Sequence, residues 1–123
     1  MSDIHPISII VTARNAQNFI EECLDSIERQ TYFKDNDNFE VLIGIDNCQN
    51  TLEKIGQIHH KYRNLKIFMM KDYVGPYVTI NTLLDVVKYE NIIRFDAINV
   101  MTSNLIVEIS KYITSHDIIK FSY

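Results

Sequence analysis

The stretch "ISIIVTARNAQNFIEECLDSIERQTY" (residues 7–32), followed by "FEVLIGID" (39–46), decides the fold. Its first seven residues are rich in Ile and Val with little alternation, the pattern of a strand covered on both faces. The period then changes. Phe19, Ile20, Cys23, Leu24 and Ile27 recur at helical spacing, with Glu21, Glu22, Asp25 and Glu28 outside the stripe. After the polar loop "KDNDN" (34–38) a second buried strand follows, so the chain runs strand, helix, strand.

The alternation continues outward from there. "LKIFMM" (65–70), "NIIRFD" (91–96) and "DIIKFSY" (117–123) read as further strands. Between them, Leu52, Ile55, Ile58 and Tyr62 form a second helical stripe. Gly75-Pro76 opens a third, which continues through Ile80, Leu83, Leu84 and Val87, with Pro suited to the first helical position. A fourth runs through Leu105, Ile106, Ile109 and Ile113 behind a cap at Thr102 or Ser103. This order predicts an α/β protein: a three-layer α/β/α sandwich around a mostly parallel sheet, and the first and fourth strands are expected to be neighbours. Ligands in such sheets bind beyond the carboxyl ends of the strands. The candidate positions are therefore Thr12 to Asn15, Asp46 to Gln49 and Asp96 to Asn99.

Composition bounds the rest. The 123 residues make one domain with a single core, and 46% hydrophobic with 23% charged residues is ordinary for a globular chain. The formal charge is -4 and the basic residues are scattered, which argues against a nucleic-acid partner. The start "MSDIHP" lacks the basic and apolar regions of a signal peptide, and no apolar run approaches membrane-spanning length. Cys23 and Cys48 lie too far apart for a disulfide framework or a zinc motif. A reducing cytoplasm is the expected location.

Three α/β readings separate at the strand ends. A dinucleotide-binding fold needs a glycine-rich first turn. The only glycines are Gly44, Gly56 and Gly75, and none lies there. A P-loop fails for the same reason. A phosphoacceptor receiver domain needs an acidic pair after its first strand, where this chain has Thr12-Ala13-Arg14-Asn15.

The third reading is a resemblance. Residues 7–46, together with "YVGPYVTINTLLDVVKYENIIRFDAINVM" (73–101), resemble family 2 glycosyltransferases of the GT-A fold. Those run as a strand, a Pro-x-Tyr-Asn turn, a helix with "CLDSI"-like text, "QTY", and a second strand ending in Asp-Asp. The resemblance implies a nucleotide-sugar-binding domain over 1–123, without the C-terminal part that supplies the catalytic base and acceptor site. It implies glycosyl transfer of hexosyltransferase type from a nucleotide-sugar, UDP-sugar favoured, to an unknown glycan, lipid or protein acceptor. The alternative is a catalytically inactive GT-A-like nucleotide-binding or interaction module.

Carried over by position, the resemblance implies that Thr12, Ala13, Arg14 and Asn15 cradle the base and ribose. Thr12 stands where Pro is usual and Arg14 where Tyr is usual. Asp46 matches the acid that reads the nucleobase, and a carboxylate suits the N3–H donor of uracil. Asn81 matches an Asn facing the nucleotide-sugar. Asp96 matches the first acid of the Asp-x-Asp segment, which contacts ribose or metal. Mg²⁺ or Mn²⁺ would neutralise the diphosphate as the sugar leaves. Ile98 stands at the second acid, so any metal would be held by Asp96 with the neutral oxygen of Asn99, and the site is expected to be metal-poor.

Plainer roles stand beside these. Asp96 and Asp46 also suit turns that close strands. Arg14 equally suits an ion pair with a helix carboxylate, and Asn15 a cap of the first helix. The adjacent His59 and His60 point to different sides of a helix and suit the surface. Met69 and Met70 suit core filling.

Overall fold

The computed structural model describes residues 5–112. The strand expected at 117–123, and Ile113 of the fourth helix, lie outside the described residues. Among the described residues, four strands form one parallel sheet: β1 (Ile7–Ala13), β2 (Phe39–Asp46), β3 (Leu65–Met70) and β4 (Asn91–Asp96). Their order is β3-β2-β1-β4, so β1 and β4 are neighbours as the sequence predicts. The helices are α1 (Ile20–Glu28), α2 (Gln49–Ile58), α3 (Gly75–Leu84) and α4 (Leu105–Ser110).

Strand residues alternate between faces, and the two faces carry different layers. Ile7, Ile9, Val11 and Ala13, with Val41, Ile43 and Ile45, pack against Ile20, Cys23, Leu24 and Ile27 of α1, Ile55 of α2 and Ile106 of α4. On the other face, Ile10 and Leu42 meet Ile80 and Leu83 of α3. Full burial of such aliphatic side chains stabilises by about 1.5–3 kcal/mol each, which is why β1 and β2 are rich in Ile and Val. This is the expected three-layer α/β/α arrangement.

The α3 side can close on the sheet because β2 carries Gly44. A Cβ there would lie 2.5 Å from the Thr79 methyl and 3.1 Å from Leu83, so only hydrogen lets α3 settle this low. Toward β4, no described element packs on this face of the sheet. Ile92, Arg94 and Asp96 are exposed there, while Phe95 on the opposite side is buried.

Some local expectations shift. Phe19 precedes α1 and is 48% exposed, so the buried stripe begins at Ile20. Asn15 lies well before that helix and does not cap it. The second helix ends at Ile58, and Tyr62 follows a short 3₁₀ turn, His59–Lys61. Its hydroxyl still reaches back to Asp25 at 2.7 Å. Neither Thr102 nor Ser103 caps α4: Asn104 precedes the helix, without a side-chain cap. Gln30 does that work from outside. Its carboxamide oxygen accepts the Ile106 N–H at 3.1 Å, one of the orphan donors of the first turn, and its nitrogen donates to the Ser26 and Thr102 carbonyls.

The candidate nucleotide cleft

One row across the sheet builds the site. In register, Gly44 pairs with Thr12 and Thr12 with Asp96, so all three sit side by side on the α3 face at the carboxyl ends of β2, β1 and β4. Asp46, two residues beyond Gly44, ends β2 on that same face. A cleft of about 280 Å³ opens over this row. Its floor is Thr12, Ala13 and Asp96, and Arg14 and Ile98 flank it. The opposite wall is Asp46 with Tyr73, Pro76 and Thr79, from the approach to α3 and its first turns.

Of the residues named from sequence, Thr12, Ala13, Arg14, Asp46 and Asp96 line this cleft. Asn15, Asn81 and Asn99 are not among its lining residues. Asn15 has a left-handed backbone, φ 51°, and its side-chain oxygen accepts the Cys48 thiol at 3.3 Å. Asn81 follows Thr79 by two positions, which rotates it about 200° round the helix onto an exposed face. Sequence reasoning missed Tyr73, Pro76 and Thr79. Their signal was indirect: Gly44 in an otherwise bulky strand marks where a neighbouring element comes close.

Each acid is partly committed. Asp46 is 5% exposed, and its two oxygens accept the N–H of Val74 at 2.9 Å and of Gly75 at 3.0 Å. These are first-turn donors of α3, where negative charge is favoured. Asp96 is exposed, and its Oδ1 accepts the Ile98 N–H at 3.1 Å in an Asx turn, while its carbonyl accepts the Asn99 N–H at 3.0 Å. The turn that closes β4 and the acid aimed into the cleft are therefore the same residue.

Arg14 makes no ion pair among the described residues. Its guanidinium instead lies over the Tyr73 ring, 3.9 Å from the centroid. The loop carrying Arg14 is fixed beneath. Ala16 donates its N–H to the Thr51 hydroxyl at 3.0 Å, and that hydroxyl lies 3.3 Å from Cys48 Sγ. Hydrogen bonding by the Thr51 side chain, outweighing burial, lowers the Cys48 thiol below its usual range. Cys23 is the reverse: burial, reinforced by Asp96, pushes its thiol up to about 12, as befits an inert core residue.

The donor set does not suit a protein-held divalent cation. Mg²⁺ demands near-octahedral oxygen coordination. The cleft offers two carboxylates, Asp96 and Asp46, at the ends of different strands, and no third acid in its lining among the described residues. Ile98 supplies only alkyl carbon. No group of three or more His, Cys, Asp or Glu among the described residues could hold a metal. Nor is any described helix long and apolar enough to cross a membrane.

The glycosyl transferase family 2 model matches residues 8–119, and the chain belongs to that family. Among curated proteins it is 29% identical over 112 residues to an uncharacterized glycosyltransferase of Haemophilus influenzae, covering 90% of this chain and 33% of the relative. Among solved structures, S. aureus TarS 1–349 in complex with UDP superposes with a TM-score of 0.77 at 25% identity, covering 89% of this chain and 32% of that one. TarS has also been solved in complex with UDP-GlcNAc. The mannosyltransferase PcManGT from Pyrobaculum calidifontis, in complex with GDP-Man and Mn²⁺, superposes at 0.83 with 21% identity over 89% of this chain and 32% of its own. The chain thus spans about one third of the length of these relatives.

Proposed function

We propose that the cleft binds the nucleotide part of a nucleotide-sugar donor, a UDP-sugar, for glycosyl transfer to a glycan, lipid or protein acceptor. The observation that carries this reading is the Gly44–Thr12–Asp96 row, with Asp46 and Arg14 beside it, at the strand ends of a family 2 chain. The UDP and UDP-GlcNAc complexes of TarS support uridine over guanosine. Thr12 and Ala13 would face the base and ribose, and Asp96 would accept from ribose hydroxyls. Asp46 keeps a second lone pair on each oxygen, so it can still accept uracil N3–H while holding Val74 and Gly75. Asn81 and Asn99 would serve only after a shift of their segments. The catalytic base and the acceptor's groups would come from outside these 123 residues. A reducing cytoplasm suits the two free cysteines.

Chemical-shift mapping with UDP tests the reading. Perturbation at Thr12, Asp46 and Asp96 is the expected result, and a titration that moves none of them overturns it. The second reading, a catalytically silent module of the same fold, is favoured by Ile98 at the position of the second acid. Glycosyl transfer or slow donor hydrolysis by the full natural polypeptide would rule it out.

A further inference from the structure

We infer that Arg14, laid on Tyr73, supplies the positive charge for the diphosphate at this cleft, and that nucleotide binding therefore does not require a divalent cation. The inference rests on the nucleotide-sugar reading above and adds to it the means by which the phosphate charge is met.

The charge balance of the lining makes the case. The cleft is walled by two carboxylates, Asp46 and Asp96, and a nucleoside diphosphate would bring further negative charge between them. Some cation has to offset that repulsion. The residues at hand fit a metal poorly, because no third His, Cys, Asp or Glu joins Asp46 and Asp96 among the described residues, and Ile98 beside Asp96 has no lone pair. Among the described residues, Arg14 is the one Lys or Arg in the lining.

Its placement is suited to the task. A guanidinium has a flat face and a rim of five N–H donors. Tyr73, 58% exposed, takes the face at 3.9 Å. Stacking consumes none of the rim donors, and no carboxylate among the described residues claims them. The fork is held in place and left available for paired phosphate oxygens, the geometry in which Arg binds best. Arg14 is also fixed from behind, since the following turn is tied to α2 through Ala16 and Thr51.

The test is calorimetry of the full natural polypeptide with uridine and with UDP, each in EDTA and in MnCl₂. In EDTA, wild type should bind UDP more tightly than uridine by about tenfold or more, the worth of a charge-assisted contact. Adding Mn²⁺ should change the UDP affinity by less than about threefold. Arg14→Gln should weaken UDP far more than uridine and so remove the advantage of UDP over uridine, while Arg14→Lys keeps part of it. Tyr73→Leu should lower the advantage and Tyr73→Phe retain it. Ile98→Asp should introduce Mn²⁺ dependence that wild type lacks. Two results overturn the inference while leaving the nucleotide reading intact: wild-type UDP binding strengthened about tenfold or more by Mn²⁺, or Arg14→Gln weakening uridine as much as UDP, which would make Arg14 a base-stacking residue. Failure of wild type to bind either ligand would remove both readings together.

Discussion

Asp46 holds the N–H of Gly75 at 3.0 Å, across the gap between the end of β2 and the first turn of α3. With the parallel bond to Val74, this carboxylate is the pin that sets the cleft's far wall. Asp46→Asn replaces one acceptor oxygen with an NH₂ that cannot accept. Hydrogen bonds to charged groups contribute about 1.5–3 kcal/mol each, so a loss of that order is expected in urea unfolding. Hydrogen exchange at the Val74 and Gly75 amides should accelerate beyond the global change. Unchanged protection at both would show that the wall is held by something else.

Gly44→Ala is expected to destabilise by overpacking, because the new methyl meets the Thr79 methyl at 2.5 Å. Such insertions cost about 1–3 kcal/mol. Since the displaced helix carries Pro76 and Thr79, the cleft should change shape as well, and UDP affinity should fall with the urea midpoint. A fully stable Gly44→Ala protein would mean that α3 shifts freely.

Glu40 gives a pH prediction. Its side chain is 3% exposed on β2, bonded to Lys66 Nζ at 2.8 Å, to the Ser8 hydroxyl at 2.7 Å and to the Lys88 N–H. Burial alone would raise its carboxyl, but these three partners outweigh burial and hold it below the ordinary value of 4.5. The folded state therefore binds this proton more weakly than the unfolded chain. The stability Glu40 contributes is fully present above about pH 4.5 and is lost as pH falls through its lower folded value. The difference in urea midpoint between wild type and Glu40→Gln should be constant near neutrality and shrink only below about pH 4.5. A difference that shrinks between pH 6 and 8, a window marked out by ~pH 6.5 histidine chemistry, would assign the effect elsewhere.

Gln30→Ala removes the outside cap of α4. It leaves the buried Ile106 N–H without its partner, at about 1–3 kcal/mol, while the Thr102 carbonyl keeps the Leu105 N–H. The segment from Ala97 to Asn104 is tied to the rest through these bonds, through Met101 N–H to the Ser26 hydroxyl, and through Thr31 N–H to the Ser103 carbonyl. Amide exchange at Ile106 should rise first. Protection equal to wild type would leave Gln30 without the capping role.

Much of this architecture was legible because burial on both faces leaves β1 and β2 dominated by Ile, Val and Leu, with only a few polar residues such as Ser8 and Glu40, and because α1 carries a regular apolar stripe. The site was legible where it lies on strand ends: Thr12 and Asp96 come together by parallel register, which adjacency of β1 and β4 already entails. Tyr73 and Thr79 were not, since they reach the cleft only after α3 descends over Gly44, a packing event with no local pattern. The helix caps were hidden for a related reason. Gln30 satisfies α4 from more than seventy positions away, and Thr102 spends its carbonyl on Gln30 and Leu105.

The central place of β1 has a consequence for the order of assembly. Its partner on one side, β2, is made soon afterwards, but Ile7 waits for Asn91 on the other, about 80 residues later. At a synthesis rate of about 5–20 residues per second that is a delay of roughly 4–16 s, during which one edge of β1 is open. Parallel pairing over such a separation is slow to close, because the loop must be ordered before the contact repays it. Among the described strand pairings, the Thr12–Asp96 floor of the cleft is therefore the last to form, and ligand competence reports that β4 has joined β1.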